Sequence, residues 1–131
     1  MQQLTKGTAG QKTIPKDTED EAGAAGSLET IPDDYAKFFR HVLVEASKNS
    51  ARTELMFTPS IRIKSKTRFG FQAWQEIGGN DDIELSYGLG WGLLQSPYGY
   101  GAFKEGSDRG CHHYSVMFPE QNTGVIIMSK W

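Results

Sequence analysis

Tyr35, Phe38, Phe39, Val42, Leu43 and Ala46 fall at i, i+3, i+4, i+7, i+8 and i+11. Side chains three and four positions apart share a helix face, so this spacing predicts an apolar stripe along a helix over 30–47. Thr30 is the expected N-cap. Pro32 falls in the first turn, where its missing N–H costs nothing, and Asp33 and Asp34 sit at the positive end of the helix dipole. Residues 47–50 end the helix. One such stripe cannot fold by itself; it must bury against a surface built elsewhere in the chain.

The remaining sequence offers that surface as strands. "TELMFTPSIRIKSK" (53–66) reads as a short turn of helix or loop broken at Pro59, followed by a polar connection. From Phe69 onward the texture turns to aromatics and glycines. "FGFQAW" (69–74), "IELSYGLGWGLLQ" (83–95), "GYGAFKEG" (99–106), "CHHYSVMF" (111–118) and "TGVIIMSKW" (123–131) read as strands. "IGGNDD" (77–82), "SPYG" (96–99) and "PEQNTG" (119–124) are turn-forming clusters between them. The short Pro/Asn/Gly connection before the last strand predicts an antiparallel hairpin. The expected fold is α+β over 27–131, an antiparallel sheet of about four to five strands packed with one main amphipathic helix. Residues 1–26, rich in Thr, Gly, Lys and acids, read either as a disordered polar arm or as a loop that crosses another part of a larger structure.

Bulk properties narrow the function classes. A chain of 131 residues allows one domain with a modest core. A net charge of −2 and a pI near 5.9 argue against a nucleic-acid partner, which selects for a basic face. No apolar run approaches the roughly 20 residues of a membrane span, and "MQQLTKGTAGQK" lacks the apolar core of a signal peptide. A single cysteine makes no internal disulfide, which leaves the compartment open.

Cys111, His112 and His113 invite a metal reading, but zinc needs three or four converging ligands. On a strand, Cys111 and His113 share one face and His112 points to the other, while His41 lies on the predicted helix. The expectation is strand packing, with no metal and no cofactor. Cys111 as a nucleophile would need a base and an electropositive setting; it reads instead as a small buried hydrophobe. Ser60 and Lys64 are one residue too far apart for the helical Ser-x-x-Lys pair and follow Pro59, so they read as polar loop. Lys104-Glu105-Gly106 alone reads as an edge lysine before a turn.

The order of the segments adds to this. "AAGSLETIPDDYAKFFRHVL" (24–43), "YGLGWGLL" (87–94) and "KEGSDRGCHHYSVMFPEQNTGVIIMS" (104–129) together resemble the C-terminal half of the serine β-lactamase-related hydrolases. That superfamily holds class C β-lactamases, penicillin-binding proteins and related esterases. The resemblance covers residues 22–130 and implies a partial β-lactamase/transpeptidase-like fold. It places Lys104 on the family's Lys/His, Glu105 on its Thr/Ser and Gly106 on its glycine. Gly110 and Cys111 fall on a Gly-Phe step, and Pro119-Glu120 on a hairpin turn. In such enzymes this strand walls the cleft. The cation holds a substrate carboxylate or tunes the nucleophile, a nearby backbone N–H completes the oxyanion hole, and the glycine lets substrate approach the backbone.

The chain also departs from that pattern. It has no S-x-x-K and no Tyr-x-Asn, and Glu105 replaces a hydroxyl residue with a charge expected to repel a carboxylate. Family members continue beyond "MSKW" into a helix that covers the sheet. The resemblance therefore implies cleft residues Lys104, Glu105, Gly106 and Ser107 without a catalytic nucleophile. Ester, amide or β-lactam substrates would belong to the full-length parent, and this chain alone would be inactive. Family members are often periplasmic or secreted. The alternative reading is a non-catalytic α+β module that self-associates, as a homo-oligomer, or binds a partner.

Overall fold

The computed structural model describes residues 28–67, 72–108 and 110–130, together with the backbone of 8–9 and 12–13. Thr8–Ala9 (β1) and Lys12–Thr13 (β2) pair antiparallel as a short ladder of their own. The rest of the arm expected over 1–26 lies outside the described residues.

The predicted helix is α1, Pro32–Ser47. Its N-cap is Ile31 rather than Thr30. Ile31 is extended, at φ −91° and ψ 154°, with no side-chain cap, and the Thr30 hydroxyl donates to the Ile31 carbonyl at 3.4 Å. Proline explains the shift, because its ring disfavours helical geometry in the preceding residue and so sets the boundary at Ile31. Of the stripe, Tyr35, Phe39, Val42, Leu43 and Ala46 are buried, and Phe38 at its margin remains half exposed. Asn49 turns the chain at φ 51° into α2, Ala51–Phe57. The Ser50 hydroxyl caps α2 by accepting from the Thr53 N–H, and the helix stops ahead of Pro59.

Ile61–Arg62 forms β3. The turn cluster at 77–82 contains one turn of helix, α3, Gly79–Asp82. Of the strand expected over 69–74, residues 69–71 lie outside the described residues, and 72–74 form a turn near the Ser65–Glu76 bridge. The single strand expected over 83–95 is two: β4, Ser86–Tyr87, and β5, Gly92–Ser96. Between them the Gly88 N–H donates to the Trp91 carbonyl at 2.9 Å and reverses the chain. Then follow β6, Gly99–Asp108, β7, Cys111–Phe118, a 3₁₀ turn, Pro119–Gln121, and β8, Thr123–Lys130. Asn122, left-handed at φ 46°, completes the predicted final hairpin.

The fold is α+β. Six antiparallel strands lie in the order β3–β4–β5–β6–β7–β8, each beside its neighbour in sequence. The sheet exceeds the expected four to five strands because β3 adds to its edge and 83–95 contributes twice. Helix α1 covers one face, and the core lies beneath it: Tyr35, Phe39, Val42 and Leu43 against Trp91, Leu93, Ala102 and Met117. The Phe57 ring of α2 meets Trp91 edge-on at 5.6 Å. Phe39 lies directly over Gly124 of β8, where a Cβ would stand 2.5 Å from the ring. That glycine lets the helix settle onto the strand. No helix among the described residues is long and apolar enough to cross a membrane.

Candidate functional site on strand β6

The register of β6 against β7 decides where each candidate side chain points. Lys104 lies opposite Ser115, Glu105 opposite Tyr114, Gly106 opposite His113 and Ser107 opposite His112. Directly paired residues share a face, and successive residues alternate. Ala102, opposite Met117, is buried beneath α1, so Lys104, Gly106, His113 and Ser115 belong to the helix-covered face. Glu105, Ser107, His112 and Tyr114 belong to the other. The four residues expected to share a cleft wall are therefore divided, Lys104 and Gly106 on one side, Glu105 and Ser107 on the opposite side.

On the helix face the site is assembled around a buried hydroxyl. Tyr35, in the first turn of α1, lies 2.8 Å from Ser115 Oγ, and Ser115 Oγ donates to the Lys104 carbonyl at 3.3 Å. Because Ser115 gives its proton to that carbonyl, Tyr35 is the donor of the first bond. The chain Tyr35 to Ser115 to Lys104 ties the helix start to the backbone of the candidate strand. Burial pushes the Tyr35 phenol up from its ordinary pKa, with the Ser115 hydrogen bond acting in the opposite direction. Ser115 is fully buried and unavailable as a nucleophile.

His113 sits beside this chain, its ring edge-on to Tyr35 at 4.6 Å. Its Nε2 is buried without a hydrogen-bond partner among the described residues. Burial lowers the imidazole pKa, and the nearby Lys104 ammonium lowers it further. His113 is thus neutral at pH 7. Lys104 itself is solvent-exposed, and a Cβ on Gly106 would still stand 3.6 Å from His113 Nδ1. This end of the face presents an exposed cation, a neutral imidazole and an open stretch of backbone.

The opposite face is aromatic and apolar. Phe103 lies flat over Gly92, stacks with Tyr114 at 6.0 Å and 23°, and tilts against Tyr87 at 6.5 Å. Beyond it Val125 and Ile127 are exposed. An open depression of about 530 Å³ at this end of the sheet is lined by Glu105, Ser107, His112, Tyr114, Ile127 and Ser129 and also reaches Gly106 and His113, so three of the four expected cleft residues, all but Lys104, border it.

Cys111 and His113 share a face and His112 takes the other, as the alternation predicts, and Cys111 is partly buried rather than enclosed. Among the described residues no group of three or more His, Cys, Asp or Glu is arranged to hold a metal. Ser60 and Lys64 flank the two-residue strand β3. Sequence reasoning missed Tyr35 and Ser115 as site residues. Tyr35 was visible only as a stripe position, and no local signal joins residues eighty positions apart.

The fold thus defines an α+β domain whose antiparallel sheet is covered by α1, with α2 packed against the same core through Phe57, and carries a lysine on an inner strand. Comparison with protein-family models, curated proteins and solved structures finds no match.

Proposed function

We propose that the chain is the cleft-wall portion of a serine hydrolase of the β-lactamase-related type, acting on ester, amide or β-lactam substrates in its parent protein. It brings no nucleophile of its own. The observation supporting this reading is the exposed Lys104 beside neutral His113 and open backbone at Gly106, with the Glu105 side chain directed to the opposite face. Glu105 therefore does not confront a carboxylate bound at Lys104 directly, which weakens the electrostatic objection raised by the sequence.

In this role the Lys104 ammonium holds the substrate carboxylate through a charge-assisted hydrogen bond. Gly106 leaves room for substrate against the strand. The Tyr35–Ser115 bond positions the strand by fixing the Lys104 backbone. The acyl-accepting hydroxyl and its base come from a segment carrying S-x-x-K, which this chain lacks.

The test is a titration of the isotope-labelled chain with benzylpenicillin, followed by amide chemical shifts. Shifts are expected at 104–107 and at His113, and Lys104→Ala should remove them. Absence of shifts in the wild-type chain would overturn the reading. Nitrocefin turnover should not exceed that of Lys104→Ala, and turnover above that control would refute the missing nucleophile.

A further inference from the structure

Strand β8 forms one end of the sheet, and among the described residues no strand lies on its outer side. It runs for eight residues, Thr123–Lys130, with no proline, no bulge in its ladder to β7 and no charge before Lys130. An edge strand offers a row of backbone donors and acceptors to any extended chain, and proteins ordinarily blunt such edges with charge, proline or a bulge. Here proline and bulge are absent, and the one charge, Lys130, stands at the very end of the strand, so Thr123–Ser129 is unprotected. Val125 and Ile127 are 54% and 57% exposed on the face away from α1.

We propose that β8 pairs antiparallel with β8 of a second copy, joining the two sheets about a two-fold axis. This inference is independent of the hydrolase reading. A two-fold axis perpendicular to the sheet keeps both copies of α1 on one side, and so requires residues of the same face to lie opposite one another. Centring the pair on Ile126 meets that condition. Ile126 then faces Ile126, Val125 of each copy faces Ile127 of the other, Gly124 faces Met128, and Thr123 faces Ser129. The exposed apolar side chains become cross-strand pairs.

The charges also match. Lys130 falls opposite Asn122, next to the Pro119–Gln121 turn that carries Glu120. No like charges oppose one another anywhere in the pair. A register slip by one residue would set Val125 and Ile127 against residues of the helix-covered face, so the alternation excludes it, and among the even registers the one centred on Ile126 pairs Val125 with Ile127 in both directions.

The experiment is size-exclusion chromatography with light scattering over a range of concentrations, on the full chain and two double variants. Both variants change only positions more than half exposed, and each is checked for an unchanged thermal transition. The wild-type chain should move from monomer to dimer as concentration rises. Val125→Lys with Ile127→Lys places lysine opposite lysine and should weaken the dimer at least about tenfold. Val125→Glu with Ile127→Lys places each glutamate opposite a lysine of the other copy and should restore it to within about threefold of wild type. A chain that stays monomeric at every concentration would overturn the proposal. So would equal loss in both variants, which would indicate contact through the open sheet face, or no loss in either.

Discussion

The hydrogen-bonded chain from Tyr35 through Ser115 to the Lys104 carbonyl allows a quantitative test of how α1 is fastened to the sheet. Tyr35→Phe removes the outer donor and leaves Ser115 bonded to the Lys104 carbonyl. Its cost should be that of one ordinary hydrogen bond, about 1 kcal/mol. Ser115→Ala removes the middle of the chain and leaves the buried Tyr35 hydroxyl without an acceptor, at about 2 kcal/mol, because an unsatisfied buried group bears its full desolvation penalty. With both changes there is no orphaned hydroxyl, so the double variant should cost about 2 kcal/mol rather than the sum of about 3, a coupling of about 1 kcal/mol. Urea unfolding measures all three, with m-values expected to stay constant so that the midpoints carry the differences. Additivity within a few tenths of a kcal/mol, or a Tyr35→Phe cost equal to that of Ser115→Ala, would refute the bond's role in fastening the helix.

Two further changes probe the opposite face and the imidazole. Gly92→Ala should destabilise by about 1–3 kcal/mol, because the new Cβ meets the Phe103 ring, and Phe103→Leu in the same chain should recover part of that loss; an unaltered thermal midpoint in Gly92→Ala would contradict the contact. His113, with a folded pKa below its unfolded value of 6.5, binds its proton less readily in the folded state. Stability is therefore held above the unfolded pKa and declines as pH falls from about 6.5 towards the folded pKa, levelling below it. Urea midpoints across that window should fall in the wild-type chain and fall less in His113→Phe; parallel profiles would exclude His113 as the source.

Much of the architecture was legible in local sequence. The period of Tyr35, Phe39, Val42, Leu43 and Ala46 marked both the helix and its buried face, since a stripe of that spacing has one way to leave water. The strands read at 111–118 and 123–131 followed from their apolar and aromatic texture and from the Pro-Glu-Gln-Asn turn between them, whose Asn122 takes the left-handed conformation. Boundaries were less legible where local preferences compete. Thr30 is a better capping residue than Ile31, yet Pro32 imposes the start. In "YGLGWG" the strand-forming residues share the segment with the glycines that reverse it, so one apparent strand became two.

The candidate site divides along the same line. Sequence alone determined that Lys104 and Glu105 are adjacent on one strand, and the two-residue pleat requires adjacent side chains to leave it on opposite sides. Only the tertiary structure decided which side received α1. Lys104 stands with His113 and the buried Tyr35–Ser115 pair, while Glu105 faces the aromatic surface built by Phe103 and Tyr114. The pleat is a property of each strand by itself. The identity of each face comes from packing between residues as far apart as Tyr35 and Ser115, and nothing in their local sequence encodes that contact.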